Sequence, residues 1–323
     1  MKALALFSGG LDSILAVKLI ELQDIEVIGI CFESPFFSSQ KAEESAQYIG
    51  LPLRIIDITE RLLKIVLSPR HGHGKGLNPC IDCHALMYKV AGETMKEEGA
   101  ALIISGEVLG QRPMSQNLQS LQIISRDSGF EDIILRPLTA KRLPETLPER
   151  AGWVNRERLL GLSGRSRRPQ MDLAKILGIE RYPSPAGGCL LTEVVFSRRL
   201  RDLISTSQPF SKRDLGLLRW GRHFRLSDKV KTVVGRNQRE NEKISSLIRK
   251  GDIVLIVESF PGPTVLTIGD PSPEELKIVA AMTASYSDAP INQPVTVRMR
   301  RDSTYHTLPA RREEKSNFHR FMI

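Results

Sequence analysis

The chain has little of several features that whole classes of protein need. Only four of its 323 residues are cysteines, too few for a disulfide scaffold in a chain of this length. No apolar run reaches the roughly 18 residues that a membrane helix requires, so no membrane association is expected. The apolar start from Met1 to Phe7 runs into Ser8 without a small-residue cleavage site, which predicts a buried strand rather than a signal peptide. We therefore expect a cytoplasmic protein.

Positive charge is concentrated in the middle of the sequence. The formal net charge is +9, and between Arg150 and Arg236 basic residues outnumber acidic ones 19 to 7. A segment this basic favours a polyanionic partner such as a nucleic acid. The alternative is a solvated surface with structural ion pairs. The arginines that we predict to contact RNA are Arg165, Arg167, Arg168, Arg198, Arg199, Arg201 and Arg236.

The first half of the chain alternates short apolar runs with helical patterns. The predicted strands end at Phe7, Phe32, Ile58, Ser105 and Leu135. This alternation predicts an α/β fold in which a parallel sheet carries helices on both faces. In such sheets ligands bind beyond the carboxyl ends of the strands.

The pattern changes after Cys189. Strand patterns around one helix predict a smaller α+β domain in the second part of the chain. We place the boundary near Thr192, which gives an ATP-binding domain over residues 1–192 and an RNA-binding domain over 193–323. The polar tail from Asp302 is predicted to be partly disordered.

A glycine loop follows the first predicted strand and opens the first helix. Its residues are Ser8, Gly9, Gly10, Leu11, Asp12 and Ser13. The glycines let the backbone turn tightly and approach a phosphate, and the helix start offers unpaired N–H groups. The two serines add hydroxyl donors, and Asp12 can hold Mg²⁺ against the phosphates.

This six-residue motif resembles the signature of the PP-loop ATP pyrophosphatases. The resemblance implies that ATP is cleaved between its α and β phosphates and that AMP passes to a substrate oxygen. It also implies further ATP contacts at Cys31, Phe32, Gly106 and Gln111, with Cys31 itself expected to be a small buried side chain.

The other three cysteines form a second candidate site. Cys80 and Cys83 open a predicted helix, where thiolates are stabilised, and Cys189 follows a glycine turn. Three thiolates on a [4Fe–4S] cluster would leave one iron open for a sulfur ligand. Two alternatives stay open: zinc with His84 as a fourth ligand, and a persulfide relay between Cys83 and Cys189 without any metal. The glycine- and histidine-rich stretch before Cys80 is predicted to be a flexible loop at the edge of the site, or else a spacer or a weak metal tract.

Further motifs resemble those of the tRNA thiolases. Gly106 to Gln111, Ser115-Gln116 and Leu135 to Leu138 are similar to elements of the 4-thiouridine synthase family, and Asn78 to Cys83 is similar to the tRNA 2-thiouridylase motif. The resemblance implies a tRNA partner, sulfur transfer to a base, catalytic roles for Asp12 and the three cysteines, and a sulfur donor that is sulfide or a persulfide carrier. The sequence departs from the family because no N-terminal tRNA-binding domain and no rhodanese-type domain are evident.

The C-terminal part resembles the RNA-binding region of the NFACT proteins. The resemblance rests on the residues from Lys231 to Asn237, on Glu240-Asn241 and on Pro261 to Pro263. It would supply the missing tRNA-binding module. The nearby aromatic residues Trp220 and Phe224 are suited either to stacking on bases or to a small core.

Two rival functions remain at this point. One is another AMP-forming synthetase that acts on a small molecule, although no glutaminase domain is visible. The other is a non-catalytic RNA-binding protein, against which the intact phosphate loop and the three cysteines argue. The oligomeric state stays open between a monomer and a homodimer.

Overall fold

The computed structural model describes residues 1–184, 188–206, 209–291 and 293–323. The predicted glycine turn before Cys189 therefore lies partly outside the described residues, at 185–187. The chain divides into two compact units, Met1–Glu193 and Val194–Ile323. No helix in the described ranges is long and apolar enough to cross a membrane.

Unit 1 is built on a five-stranded parallel sheet in the order β3-β2-β1-β4-β5. The strands are β1 (Lys2–Leu6), β2 (Glu26–Glu33), β3 (Leu53–Asp57), β4 (Leu102–Ser105) and β5 (Ile134–Leu135). Chain order reverses at β1, which is the central strand. The carboxyl ends of β1 and β4 therefore border the crevice where ligands bind in open α/β sheets.

Helices cover both faces of this sheet, because the crossovers between parallel strands are right-handed and the chain crosses the sheet in both directions. The helices before β3 lie on one face, and the helices between β3 and β5 lie on the other. The helices are α1 (Leu11–Glu21), α2 (Gln40–Ile49), α3 (Thr59–Leu67), α4 (Cys80–Glu98), α5 (Leu118–Ser128), α6 (Leu147–Arg150) and α7 (Arg168–Ile176). Helix α7 packs against α1. The predicted fold class is confirmed.

Unit 2 has a six-stranded antiparallel sheet in the order β11-β10-β8-β9-β7-β6. Its elements are α8 (Val194–Ser205), α9 (Lys212–Leu217), β6 (Arg222–Ser227), β7 (Val230–Val234), α10 (Gln238–Ser245), β8 (Ile253–Val257), β9 (Val265–Ile268), α11 (Pro273–Ser285), β10 (Pro294–Arg301) and β11 (Thr304–Arg311). One face packs on α11 through residues such as Leu255 and Val265. The other face packs on α9 and α10 around Val233 and Leu266.

The expectation of a partly disordered tail from Asp302 is wrong. Asp302, with φ of 53°, lies in the two-residue turn that joins β10 to β11. Ala310 of β11 is buried in the core, and so is Phe318 in the 3₁₀ helix Lys315–Phe321. The polar residues of this segment belong to the exposed face of a paired strand, which a composition argument cannot distinguish from a solvated tail.

Candidate active site

The loop between β1 and α1 is shaped by Gly9. Its φ is 73°, and a Cβ at this position would lie 2.3 Å from the carbonyl oxygen of Lys41, so no other residue fits. The Ser45 hydroxyl donates a hydrogen bond to the Gly9 carbonyl at 2.8 Å and fixes the loop. Gly10 precedes the helix and has no side chain to cap it. The first turn of α1 is thus prepared for an anionic ligand.

The two serines of the loop differ in their availability. Ser8 is exposed, and its Oγ lies 3.4 Å from the Gly10 nitrogen. Ser13 is buried, and its hydroxyl donates to the Gly10 carbonyl at 2.8 Å. Ser8 can therefore donate to a ligand, whereas the Ser13 proton is already used inside the loop.

Asp12 begins a chain of polar side chains that crosses from α1 to α7. Gln111 Nε2 donates to Asp12 Oδ2 at 2.8 Å, and Gln170 Nε2 donates to Gln111 Oε1 at 3.1 Å. The other carboxylate oxygen of Asp12, Oδ1, is buried and has no hydrogen-bond partner among the described residues. A buried oxygen without a donor is costly, and a cation or a ligand hydrogen-bond donor would satisfy it.

Three more buried polar atoms near these elements lack a partner within the described ranges. They are Oε1 of Gln116, Oε1 of Gln170 and Nε of Arg167. Gln116 closes the loop that contains Gln111, since its carbonyl accepts a bond from Gly110 N–H at 2.6 Å. Arg167 precedes the first residue of α7. These elements supply both donors and acceptors to a polar ligand.

Gly106 sets the distance between β4 and the glycine loop. A Cβ on Gly106 would lie 2.4 Å from the backbone of Asp12 and 2.5 Å from the nitrogen of Ser13. The absence of a side chain therefore lets the segment after β4 approach the start of α1. Cys31 and Phe32 lie near the end of the neighbouring strand β2 and are both buried. Burial raises the pKa of the Cys31 thiol to about 12, so this cysteine is a neutral core side chain.

A buried ionic network lies beside the loop and is centred on Glu107, the residue that follows Gly106. Glu107 Oε2 accepts hydrogen bonds from Arg136 Nε at 2.9 Å and from the Tyr88 hydroxyl at 2.7 Å. Its other oxygen lies 2.7 Å from Nδ1 of His84. Burial by itself would raise the pKa of Glu107, but the Arg136 charge and the bonds from His84 and Tyr88 lower it to about 2. Glu107 is therefore a carboxylate at neutral pH.

This network joins three of the motifs found in the sequence. Glu107 belongs to the segment after β4, Arg136 follows β5, and His84 is one residue after Cys83 on α4. The network therefore fixes the helix that carries two of the cysteines against the strand ends that carry the loop contacts. Sequence motifs separated by up to about 50 residues meet through one carboxylate.

The three cysteines of the second candidate site are brought together by backbone pairing. Leu77 N–H bonds the Leu191 carbonyl at 3.0 Å, which ties the segment after Cys189 to the loop before Cys80. Burial, followed by the neighbouring Cys189 and Cys80, raises the pKa of the Cys83 thiol. Burial also raises the pKa of Cys189, to about 11, against a hydrogen bond at Leu191. The thiols are close enough to influence one another electrostatically.

Asn78 lies next to this cysteine group. It is buried, and its Nδ2 donates to Cys80 Sγ at 3.2 Å. Amide donors to sulfur are typical of thiolates that bind a metal or a cluster. However, within the described ranges no three or more His, Cys, Asp or Glu side chains are arranged to hold a metal ion as they stand. The donor chemistry suits three-thiolate binding, while the positions of the side chains do not complete a ligand set.

The predicted RNA contacts divide into exposed and buried arginines. Arg165, Arg168, Arg198 and Arg201 are exposed, and Arg236 is exposed while pairing with Glu240. Arg199 is buried, and its guanidinium donates to the carbonyls of Leu218 and Gly221 at 2.8 Å each. The prediction that Arg199 contacts RNA is therefore wrong, because this side chain joins α8 to the segment before β6.

Gln170 is the residue of this site that the sequence did not reveal. It is 1% exposed and lies 59 positions from the glutamine it supports. It stands at the start of an ordinary amphipathic helix, where no spacing marks it. Only the packing of α7 on α1 places it beside the loop.

Comparison with known proteins gives a separate match in each of the two units. Residues 1–142 match the family model described as "Thiamine biosynthesis protein (ThiI)", and residues 221–322 match "NFACT protein RNA binding domain". Both family resemblances are confirmed. The matched residues include the loop, the Glu107 network and three of the four cysteines in the first unit, and the sheet in the second.

Two similar proteins are each named "Probable tRNA sulfurtransferase". That of Thermococcus kodakarensis is 32% identical over 146 residues, and that of Staphylococcus aureus (strain JH1) is 30% identical over 148 residues. Each alignment covers 42% of this chain, and it covers 36% and 34% of the relatives. The chain thus spans about a third of the length of the curated relatives it matches.

Two solved structures are also similar. A 4-thiouridine synthetase–RNA complex with bound ATP has 22% identity and a TM-score of 0.38, over 55% of this chain and 41% of that one. The C-terminal part of the fibronectin/fibrinogen-binding protein from Streptococcus suis has 13% identity and a TM-score of 0.30, over 82% of this chain and 97% of that one.

Proposed function

We propose that the chain is an ATP-dependent tRNA sulfurtransferase, which activates a carbonyl oxygen of a tRNA uridine, or of a cytidine, and replaces it with sulfur. The observation that carries the proposal is the combination, in one compact unit, of a glycine loop with an unpartnered buried carboxylate oxygen and a group of three neighbouring cysteines. The names of the similar proteins support the same activity.

The first step uses the loop. The first turn of α1 and the Ser8 hydroxyl would hold the phosphates of ATP, and the ends of β2 and β4 would border the nucleoside. The base carbonyl oxygen attacks the α phosphorus, an O–P bond forms, and the bond to the β phosphate breaks so that pyrophosphate leaves. Backbone N–H groups stabilise the charge that develops on the phosphates.

Asp12 fits a magnesium ion. Gln111 donates to one carboxylate oxygen of Asp12 and leaves the buried Oδ1 available for a cation. Carboxylate oxygen is the kind of ligand that Mg²⁺ prefers. When bound, Mg²⁺ would supply positive charge beside the phosphates. The residue's own role is to present one oriented oxygen at the start of α1.

The second step needs sulfur. Sulfide attacks the activated carbon, a C–S bond forms, and the C–O bond breaks to release AMP. When a persulfide carrier is the donor, its terminal sulfur attacks in the same way, and a free thiol then cleaves the S–S bond, which leaves the thiolated base and a disulfide between that thiol and the carrier. Cys80, Cys83 and Cys189 would hold a [4Fe–4S] cluster, which supplies an open iron position for sulfide when bound. The Asn78 amide would stabilise the Cys80 thiolate in this state. Zinc bound by these cysteines, or a persulfide relay between Cys83 and Cys189, is the competing arrangement.

Unit 2 would bind the tRNA. The proposal is supported by the match of residues 221–322 to an RNA-binding domain model and by the exposed arginines of α8. Arg165 and Arg168 are predicted to extend the contact on unit 1.

The decisive experiment is a reconstituted reaction under anaerobic conditions with ATP, Mg²⁺, sulfide and an unmodified tRNA transcript. We expect a thiolated pyrimidine nucleoside by mass spectrometry, with one AMP and one pyrophosphate per sulfur inserted. AMP formation without any requirement for tRNA would instead indicate a synthetase for a small molecule. Absence of ATP turnover in every condition would indicate a non-catalytic RNA-binding protein.

A further inference from the structure

The hairpin of β10 and β11 has one covered face and one open face. Val295, Val297 and Ala310 point into the core beneath α11 and are buried. The alternate residues of the two strands lie on the opposite face, because successive side chains of a strand point to opposite sides. We call this face the hairpin platform; it consists of Thr296, Arg298, Arg300, Tyr305, Thr307, Pro309 and Arg311.

Strand register brings the cations and the aromatic ring of the platform together. Arg300 pairs directly with Tyr305, and Arg298 pairs with Thr307. Directly opposite side chains of an antiparallel pair have Cβ atoms about 5 Å apart, and diagonal ones remain within reach of long side chains. Arg300 therefore lies directly opposite Tyr305, and Arg298 lies diagonally across from it on the same strand as Arg300. This ring is 60% exposed, which is unusual for a large aromatic side chain.

The platform arginines carry uncompensated charge. In the part of the chain that the structure describes, Arg298, Arg300 and Arg311 have no acidic partner. The adjacent Arg301, which points away from the platform, does pair with Asp270. Three unpaired guanidinium groups on one open sheet face raise the local positive potential and favour an anionic partner.

The chemistry of the platform points to unpaired RNA. We propose that it binds a single-stranded segment of RNA, with a base stacked on Tyr305 and with phosphates bound by Arg298, Arg300 and Arg311. This inference rests on the proposed function, because it takes RNA as the substrate of the chain. An exposed aromatic ring beside cations on an open sheet matches what single-stranded nucleic acid requires, namely a stacking surface next to phosphate ligands.

The size of the platform is consistent with several nucleotides. Arg311 lies six positions after Tyr305 along β11, which corresponds to about 20 Å in an antiparallel strand. The strand is also the edge of its sheet, so nothing pairs with its outer side within the described residues. The platform would thus add a contact surface that the arginines of α8 do not provide.

The test compares two triple variants of the full chain that remove the same charge. The platform variant replaces Arg298, Arg300 and Arg311 with Gln. The control variant replaces three exposed residues on and near α11 with Gln, namely Lys277, Lys315 and Arg320. Binding of an unmodified tRNA and of a single-stranded oligonucleotide is measured by fluorescence anisotropy across a NaCl series. We expect the slope of log affinity against log salt to fall by about 2 in the platform variant, or about 0.7 per lost contact. The control should keep most of the slope.

The stacking contact is tested separately with two variants of Tyr305. Tyr305→Phe should bind as the unmodified chain does, whereas Tyr305→Ala should bind about tenfold more weakly, because only the second removes the stacking surface. Because the side chain of Tyr305 is exposed and outside the core, circular dichroism should show an unchanged fold for both variants. Equal losses in the platform and control triples, or an unchanged affinity of Tyr305→Ala, would overturn the inference.

Two further measurements assign any failure. If the platform triple loses binding to phosphatidylcholine vesicles with phosphatidylserine but keeps RNA affinity, the platform is a membrane surface and the inference is wrong. In the thiolation reaction, the platform triple should raise the KM for tRNA and leave kcat unchanged. If the chain never thiolates tRNA but platform variants still lose RNA affinity, the proposed function fails and the platform stands.

Discussion

Asp12 is the residue on which the proposed ATP step depends most directly. Its Oδ2 is held by Gln111 and its Oδ1 is buried without a donor, so the carboxylate is oriented and half satisfied. A neutral amide in its place would lose the charge that attracts a cation and would present an N–H₂ group to one side. The loop itself is fixed by Gly9 and Ser45, so the backbone should not change.

We expect Asp12→Asn to lower ATP-dependent AMP formation about 100-fold, in line with the loss of one positioned electrostatic group. AMP is measured by chromatography after incubation with ATP and tRNA. Asp24→Asn is the matched control, since Asp24 is exposed in the turn just after α1. AMP release at the unmodified rate from Asp12→Asn would exclude this loop as the ATP site.

Gln170 positions Gln111, which positions Asp12. Leucine is close to glutamine in volume, but Gln170→Leu removes the donor to Gln111 Oε1 and leaves that partly buried oxygen without this bond. We expect a cost of about 1–3 kcal/mol in stability. We also expect the Mg²⁺ concentration for half-maximal AMP formation to rise several-fold.

The magnesium dependence separates positioning from simple loss of stability. Gln122→Leu, at an exposed position of α5, should leave the Mg²⁺ requirement unchanged. A lower stability of Gln170→Leu with an unaltered magnesium titration would show that Gln170 only supports the packing of α7 on α1.

Among the elements, α4 and the ends of β4 and β5 depend on the Glu107–Arg136 pair. Both side chains are buried, and removing one partner of such a pair typically costs about 3–5 kcal/mol because the other charge is left alone. We expect Glu107→Gln to be destabilised by this amount at pH 7. The double change Glu107→Gln/Arg136→Met should recover part of the loss, since no buried charge remains.

The same pair predicts a pH dependence. The pKa of Glu107 is about 2 in the folded chain and 4.5 ordinarily, so its stabilising effect is fully present above pH 4.5. This effect is lost progressively as pH falls from about 4.5 towards 2. Urea midpoints at pH 7, 5, 4 and 3 should therefore show the difference between the unmodified chain and Glu107→Gln shrinking only below pH 4.5. A constant difference would mean that folding does not lower the pKa of Glu107.

The elements also show how far a sequence can be interpreted. The alternation of strands and helices predicts the parallel sheet, because the hydrophobic pattern that marks each strand or helix lies within one continuous segment of sequence. The hairpin of β10 and β11 was missed, since its turn at Asp302-Ser303 lacks the glycine that usually marks a two-residue connection. Polar residues on the open face then give the strand the composition of a tail.

The site was predicted unevenly for a related reason. The glycine loop is a contiguous segment with its own geometry, so its motif predicts it. Gln170 and the burial of Arg199 depend on which helices pack together, and no local pattern records that packing. Charge counting therefore assigned Arg199 to RNA, although this side chain is buried and both terminal nitrogens of its guanidinium donate to backbone carbonyls inside unit 2.

At the scale of the whole molecule, the proposed function assigns activation, sulfur transfer and RNA binding to different residues. In this proposal the loop and its glutamines bind ATP, the three cysteines serve sulfur transfer, and unit 2 binds RNA. These functions should therefore be lost separately in variants, although a complete reaction needs all of them. The cysteines give the sharpest separation, because the proposal has them act after the chemical step that releases pyrophosphate.

We expect alanine at Cys80, Cys83 or Cys189 to abolish thiolation while a single-turnover burst of pyrophosphate and the affinity for tRNA persist. Anaerobically purified chain should contain about four iron and four sulfide, the content of one [4Fe–4S] cluster, and each of these variants should lose both. Cys31→Ala should retain iron and activity, because that thiol is a neutral core group on β2. One zinc without labile sulfide would exclude the cluster. Full activity of Cys80→Ala, with loss only at Cys83 and Cys189, would instead establish a persulfide relay, since such a relay needs two sulfurs and not three.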